Sequence, residues 1–262
     1  MFIGALKALG TRFLENIRGY AGSSVGSIIA YMLCLGYSPD EILDEMLRAQ
    51  QSSMHKVDIR NLIEKFGLDS GARYVQEFER ITYQKIHIHN PTFEELFVKT
   101  GRDLYITGTC LEDQCTVYFN HTTTPGMSVI KALRISMSMP FFFTHVEHEG
   151  KHYIDGATLH SIPDIRDKFP PRETLVMSVR EGRDEFNPSN MVQYLHYIIQ
   201  MMRPNPPLRH FPFTICLACH VDEMTPYYIK PGSAYHLAQL GHDSMQEYME
   251  QVKKNQHSIV LQ

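Results

Sequence analysis

The stretch Arg18-Gly19-Tyr20-Ala21-Gly22-Ser23-Ser24-Val25-Gly26-Ser27-Ile28-Ile29-Ala30-Tyr31-Met32 constrains this chain more than any other. A short strand-like segment runs through glycine and serine directly into an apolar segment of helical length. A strand followed at once by a buried helix needs a sharp turn, and glycines at 22 and 26 remove side chains that would collide around it. Gly22-Ser23-Ser24-Val25-Gly26 fits G-x-S-x-G, with Ser24 as the central hydroxyl projecting from the sheet edge. The helix starting there aims its amides and positive dipole end at negative charge developing beside Ser24, with the Val25 amide as donor. Alone the five-residue pattern is weak, because a glycine-rich turn before a helix also arises structurally. Ser23 is the competing hydroxyl, one residue early, where its side chain points back toward the sheet.

The rest of the chain alternates helices and strands. Helical spacing covers residues 2–17, 38–50, 58–66, 70–82, 91–99, 128–138 and 191–202, with a last helix over 233–254. The start at 38 is marked by Ser38 as N-cap, Pro39 in the first helical position and Asp40 and Glu41 against the dipole. Strand patterns cover 104–110, 115–120, 151–155, 174–179 and 214–220, the first two close enough to form a hairpin. This order predicts an α/β fold, a three-layer α/β/α arrangement with a mostly parallel central sheet. The 262 residues are expected to form a single domain, with 181–262 its less regular part.

Composition excludes several classes of function. A formal net charge of -4 offers no positive field for a polyanion, so nucleic acid is not an expected partner. No run approaches the roughly 18 apolar residues that span a bilayer, and residues 1–18 read as an amphipathic helix without a signal-peptide cleavage site. The expectation is a cytoplasmic protein with reduced thiols, in transient contact with a membrane or lipid surface. Cys216 and Cys219 have metal-ligand spacing, with Cys110 and Cys115 as conceivable partners, but they lie in an apolar strand where cysteines pack as small hydrophobes. No metal and no cofactor are expected.

An alcohol nucleophile needs a base within hydrogen-bond reach. Tyr153-Ile154-Asp155-Gly156-Ala157 places a carboxylate at a strand end, followed by a glycine that permits a tight turn. By itself Asp-Gly is usually only a turn. Beside the serine elbow, however, it resembles the patatin-like phospholipase family, in which a G-x-S-x-G serine and a D-G-[GA] aspartate form a catalytic dyad. Ile3-Gly4-Ala5-Leu6-Lys7-Ala8-Leu9 looks like that family's first helix, and Ala132-Leu133-Arg134-Ile135-Ser136-Met137-Ser138-Met139-Pro140-Phe141-Phe142-Phe143 like its segment before the aspartate strand. The strand before that segment is similar to residues 104–113, so the likeness spans about 2–180, in order.

The resemblance implies a lipid acyl hydrolase of the phospholipase A or lipase type, acting on acyl esters at a membrane surface through an acyl-enzyme. Ser24 would be the nucleophile and Asp155 its base, with Gly22, Val25, Gly26 and Gly156 shaping the elbow and oxyanion side. An aspartate matches a hydroxyl proton poorly unless burial raises its pKa, so a desolvated Asp155 is expected. The family also places a D-G-G-G-x-[RK]-G loop on a strand ahead of the first helix to supply oxyanion amides, and this sequence starts a few residues after that point. That departure leaves open a catalytically impaired lipid-binding or interaction module. A Ser-Asp-His order using His210, His220 or His242 also stays open. Residues 191–202 and Met139-Pro140-Phe141-Phe142-Phe143 are candidates for lining an acyl channel, against ordinary core packing.

Overall fold

The computed structural model describes residues 1–51, 58–181, 194–195, 197–198, 201, 211–219, 224–225, 228–229 and 232–260. In chain order these hold α1 (Phe2–Leu9), α2 (Thr11–Glu15), β1 (Gly19–Gly22), α3 (Val25–Cys34), α4 (Pro39–Gln51), α5 (Ile59–Lys65), β2 (Gly67–Asp69), α6 (Ala72–Ile86) and α7 (Phe93–Thr100). There follow β3 (Asp103–Cys110), β4 (Cys115–Phe119), α8 (Val129–Ser136), β5 (Phe141–Phe143), β6 (Val146–His148), β7 (Lys151–Asp155), β8 (Leu175–Glu181), β9 (Phe213–Cys219), β10 (Met224–Thr225), β11 (Tyr228–Ile229) and α9 (Ser233–Val260). The helix expected over 191–202 lies for the most part outside the described residues.

Local chemistry explains the boundaries. At α4 the Ser38 amide donates to Glu41 Oε2 at 2.8 Å and the Glu41 amide to Ser38 Oγ at 3.2 Å, a reciprocal capping box. Thr92 and Glu95 make the same box at α7, and Ser128 Oγ accepts from the Lys131 amide at α8. The single helix expected over 2–17 is instead two, because Gly10 turns to φ +80° between them. Apolar spacing continued across that glycine, but its backbone did not stay helical.

The five-stranded sheet is mixed. β1 and β3, joined by a helical crossover, are parallel, whereas β3–β4, β3–β7 and β6–β7 are antiparallel. β8 and β9 make a separate parallel pair with seven residues in register. The fold class is α/β, as expected. β2 and β5 pair in parallel and went unread in the sequence, being three residues each without alternation.

The main core gathers Ile3 and Leu6 of α1, Tyr20 of β1, most of α3, Leu104 and Ile106 of β3, and Val129, Leu133 and Ile135 of α8. α3 is buried on nearly every side from Ile29 to Cys34, which holds the helix after the elbow rigidly in place. Met139 and Phe143 join the buried set, whereas Phe141 is exposed at φ +71°.

Candidate active site

β3 has three partners, and the register shows how they share its two edges. Ile106 faces both Gly22 of β1 and Phe119 of β4, and Gly108 faces both Asp155 of β7 and Val117 of β4. A strand residue has one neighbour per edge, so β4 takes one edge while β1 and β7 lie end to end along the other. β1 runs with β3 and ends opposite Ile106; β7 runs against β3 and ends opposite Gly108. The two strands therefore end on either side of Thr107, and the serine elbow and the aspartate turn meet there.

After β1 the chain enters the elbow. Ser24 is the N-cap of α3 and sits at φ +53°, ψ -130°, a region that is costly for a residue with a Cβ. Its Oγ donates to Asp155 Oδ2 at 2.7 Å. Asp155 has no solvent exposure, and its other oxygen, Oδ1, accepts from the Ala157 amide at 2.7 Å. The carboxylate is thus divided, one oxygen tied to its own turn and the other turned to the serine. Burial of Asp155 is as the sequence led one to expect.

Ser23, the competing hydroxyl, is engaged with other groups. It is 7% exposed and its Oγ lies 2.5 Å from Thr107 Oγ1 and 3.3 Å from the His160 carbonyl oxygen. Its side chain points back into the sheet.

The glycines divide into two kinds. A Cβ on Gly22 would lie 2.4 Å from the Gly26 carbonyl carbon and the Ser27 amide nitrogen, and one on Gly156 would lie 2.2 Å from Thr107 Oγ1. Both positions require glycine because strand and turn backbones touch there. Gly26 differs: a Cβ on it meets nothing within 4 Å, so packing does not demand glycine. The expectation that both motif glycines prevent collisions holds for Gly22 and is corrected for Gly26.

Of the first amides of α3, Gly26 donates to the Ser23 carbonyl at 3.0 Å and Ser27 to the Ser24 carbonyl at 2.9 Å. The Val25 amide, first in the helix, is not spent on either of those carbonyls, and its side chain is 36% exposed.

Two polar residues near the site were not singled out by sequence reasoning. The Ser24 amide donates to Ser136 Oγ at 3.0 Å, and the Asp155 amide donates to the Ser138 carbonyl at 3.0 Å. A serine at the end of an amphipathic helix carries no local signature, which is why neither stood out.

The alternative base is not brought to the serine by what is described. The Ser24 hydroxyl reaches a carboxylate directly, with no imidazole between them. His242 lies on α9 with its Nδ1 3.3 Å from Asp243, and His210 and His220 lie outside the described residues. Among the described residues no group of three or more His, Cys, Asp or Glu side chains could hold a metal ion. Cys216, expected in the core, is instead exposed on β9, where Ile215 and Leu217 alternate inward. Cys110 and Cys115 face each other across the β3–β4 hairpin.

Comparison with known proteins agrees with this architecture. A protein of Acanthamoeba polyphaga mimivirus, "Uncharacterized protein R571", is 39% identical over 166 residues, covering 62% of this chain and 54% of that protein. "Probable lipid hydrolase 463L" of Invertebrate iridescent virus 6 is 31% identical over 178 residues, covering 64% of this chain and 59% of that protein. The chain thus spans little more than half the length of these curated relatives. The crystal structure of VipD from Legionella pneumophila superposes with a TM-score of 0.61 at 13% identity, over 95% of this chain and 64% of that one, a likeness of fold. The patatin-like phospholipase family model matches residues 1–170, from the first helix to beyond the aspartate turn, and the chain belongs to that family.

Proposed function

We propose that this protein hydrolyses acyl esters of lipids through a Ser24–Asp155 dyad. The observation that carries the reading is the 2.7 Å hydrogen bond from Ser24 Oγ to Oδ2 of a fully buried Asp155. Ser24 Oγ attacks the ester carbonyl carbon while Asp155 Oδ2 takes its proton, and the Val25 amide faces the resulting oxyanion. The proton passes to the leaving alkoxide as the tetrahedral intermediate collapses to the acyl-enzyme. Water, deprotonated by the same carboxylate, then releases the fatty acid and restores the serine.

A lipid substrate is supported by the family and by the name of the iridescent virus relative, a probable lipid hydrolase. Such a substrate lies in an aggregate, so the enzyme acts at a lipid surface. No helix among the described residues is long and apolar enough to cross a membrane. Nor is the amphipathic α1 free to lie on one: its Ile3, Ala5 and Leu6 are buried within the protein.

Labelling with a fluorophosphonate, which traps activated serines, tests the reading. The protein is expected to label, Ser23→Ala to label equally, and Ser24→Ala and Asp155→Asn to lose labelling and acyl-ester turnover together. An unlabelled wild-type protein, or labelling that survives Ser24→Ala, would sink the proposal. A histidine triad would be revealed by loss of labelling in folded His210→Ala, His220→Ala or His242→Ala variants.

A further inference from the structure

The sequence motifs leave unexplained how a serine is held at φ +53° and how its hydroxyl is kept in line with the aspartate. A non-glycine residue in that region costs about 1–3 kcal/mol and persists only where its surroundings over-determine it. Around Ser24 they do. Its carbonyl accepts from Ser27 Oγ at 2.6 Å and from the Ser27 amide at 2.9 Å, so α3 fixes that side. Its amide, the other half of the peptide frame, is taken by Ser136 Oγ at 3.0 Å, from an element 112 residues away.

Ser136 is the last residue of α8 and has no solvent exposure. Two residues on, the Ser138 carbonyl accepts the Asp155 amide at 3.0 Å. One turn of chain therefore holds the backbone of both dyad members. That turn is itself anchored. The Arg134 guanidinium reaches the Ser70 carbonyl at 3.0 Å through Nε, Ser138 Oγ at 2.5 Å through Nη1 and the Thr144 carbonyl at 2.9 Å through Nη2. Arg134 is 6% exposed, so these bonds form away from water, where a mismatched donor would be costly.

We propose that the C-terminal turn of α8 is a positioning clamp for the dyad, with Ser136 fixing the Ser24 amide and Ser138 the Asp155 amide, so that their side chains meet at hydrogen-bonding distance. The inference rests on the dyad reading of Ser24 and Asp155. Ser136 touches no substrate in this scheme. It acts through the orientation of the Ser24 backbone, which sets where Oγ points. Loss of its hydroxyl removes the acceptor from a strained amide, and a displacement of about 1 Å at a reacting centre can cost about 100-fold in rate.

The test combines kinetics with amide exchange at Ser24 read by NMR. Ser136→Ala is expected to lower kcat about 10- to 100-fold with KM little changed, and to slow fluorophosphonate labelling in parallel. The Ser24 amide in that variant is expected to exchange at least about fivefold faster, as the loss of roughly one hydrogen bond implies. Ser136→Thr, which keeps the hydroxyl, is expected to restore most of the rate. Where Ser136→Ala does not fold, Ser136→Cys keeps the volume with a poor acceptor and is expected to show the same split. Wild-type kcat in a folded Ser136→Ala or Ser136→Cys protein, whether or not exchange changes, overturns the clamp and leaves the dyad standing. A wild-type protein that never labels defeats the dyad, and with it the catalytic role of the clamp.

Discussion

At the junction of β1 and β7 the backbone is held by directional bonds, whereas α1 and α9 are held by shape. Around Ser24 and Asp155, hydroxyls and carbonyls from α3, α8 and β3 each meet a particular backbone group. Between α1 and α9 the contact is glycine against backbone. A Cβ on Gly4 would lie 1.6 Å from the Ala238 carbonyl oxygen, and one on Gly241 would lie 2.0 Å from that of Met1. The small apolar cluster there, Ala5, Ile215, Leu217 and Met245, joins α1 to β9 and α9. Hydrophobic burial is non-directional and can place a helix but cannot aim a hydroxyl, so the two regions answer to different demands. Changes to the hydroxyls and the carboxylate at the junction are expected to alter rate, and changes at the α1–α9 contact to alter stability.

The largest effects should come at the junction. Ser24→Ala removes the proposed nucleophile and is expected to lower turnover by at least about 10⁴-fold, and Asp155→Asn by about 10²- to 10⁴-fold, with folding retained in the serine variant. Circular dichroism and acyl-ester assay on the same samples check both. A Ser24→Ala protein that lost most of its stability would break the comparison, because the serine would then be structural.

Next in size are the glycines of the elbow. Gly22→Ala and Gly156→Ala each force a methyl into backbone or hydroxyl atoms at under 2.5 Å, and a destabilisation of about 3 kcal/mol or more is expected in urea melts. Gly26→Ala meets open space and is expected to change stability by less than about 1 kcal/mol. If Gly26→Ala nonetheless lost activity in a folded protein, the open space above α3 would belong to the substrate, which sharpens the distinction between packing glycines and a site glycine.

At the other contact, Gly4→Ala and Gly241→Ala are expected to destabilise by about 2–4 kcal/mol, since two helix backbones must separate. Rate per folded molecule at low temperature is expected to stay near that of the wild type. A fall in kcat with no shift in the urea midpoint would show that α9 reaches the dyad and would end the separation between the two regions.

How much of this was legible in the sequence depended on the kind of interaction. The serine elbow, the aspartate turn and the helix caps at Ser38 and Ser128 rest on contacts between near neighbours, and such contacts leave a short pattern. The helix starts at Ser128 and Pro39 are where the sequence placed them. The break at Gly10 was missed because apolar spacing outvoted one glycine. The β2–β5 pair was missed because Gly67 meets Phe141 across 74 positions with only three residues in each strand. Ser136 and Ser138 belong to a family-like segment, yet nothing in their spacing says that they face Ser24 and Asp155. Non-local polar contacts of this kind become visible only when the strands are in register.

The smallest expected effect concerns the thiols, and it reads the same contrast from outside. Cys34 closes α3, the helix of the elbow; it is fully buried, its Sγ 3.7 Å from Thr100 Oγ1, and burial pushes its thiol up to about 11. Cys216 stands exposed on β9, beside the α1–α9 contact, and Cys115 is exposed on β4. Alkylation requires an accessible thiol, so at pH 8 iodoacetamide is expected to modify the exposed Cys115 and Cys216 while the buried Cys34 stays intact, with no change in activity. Raising the pH toward 11 increases the Cys34 thiolate, but reaction still requires the helix end to open, so its modification should track unfolding in urea. Mass spectrometry of peptides after timed alkylation measures each site. Rapid modification of Cys34 at pH 8 in the native protein would mean that α3 opens at its far end on that timescale, and the rigid support assigned to Ser24 would fail with it.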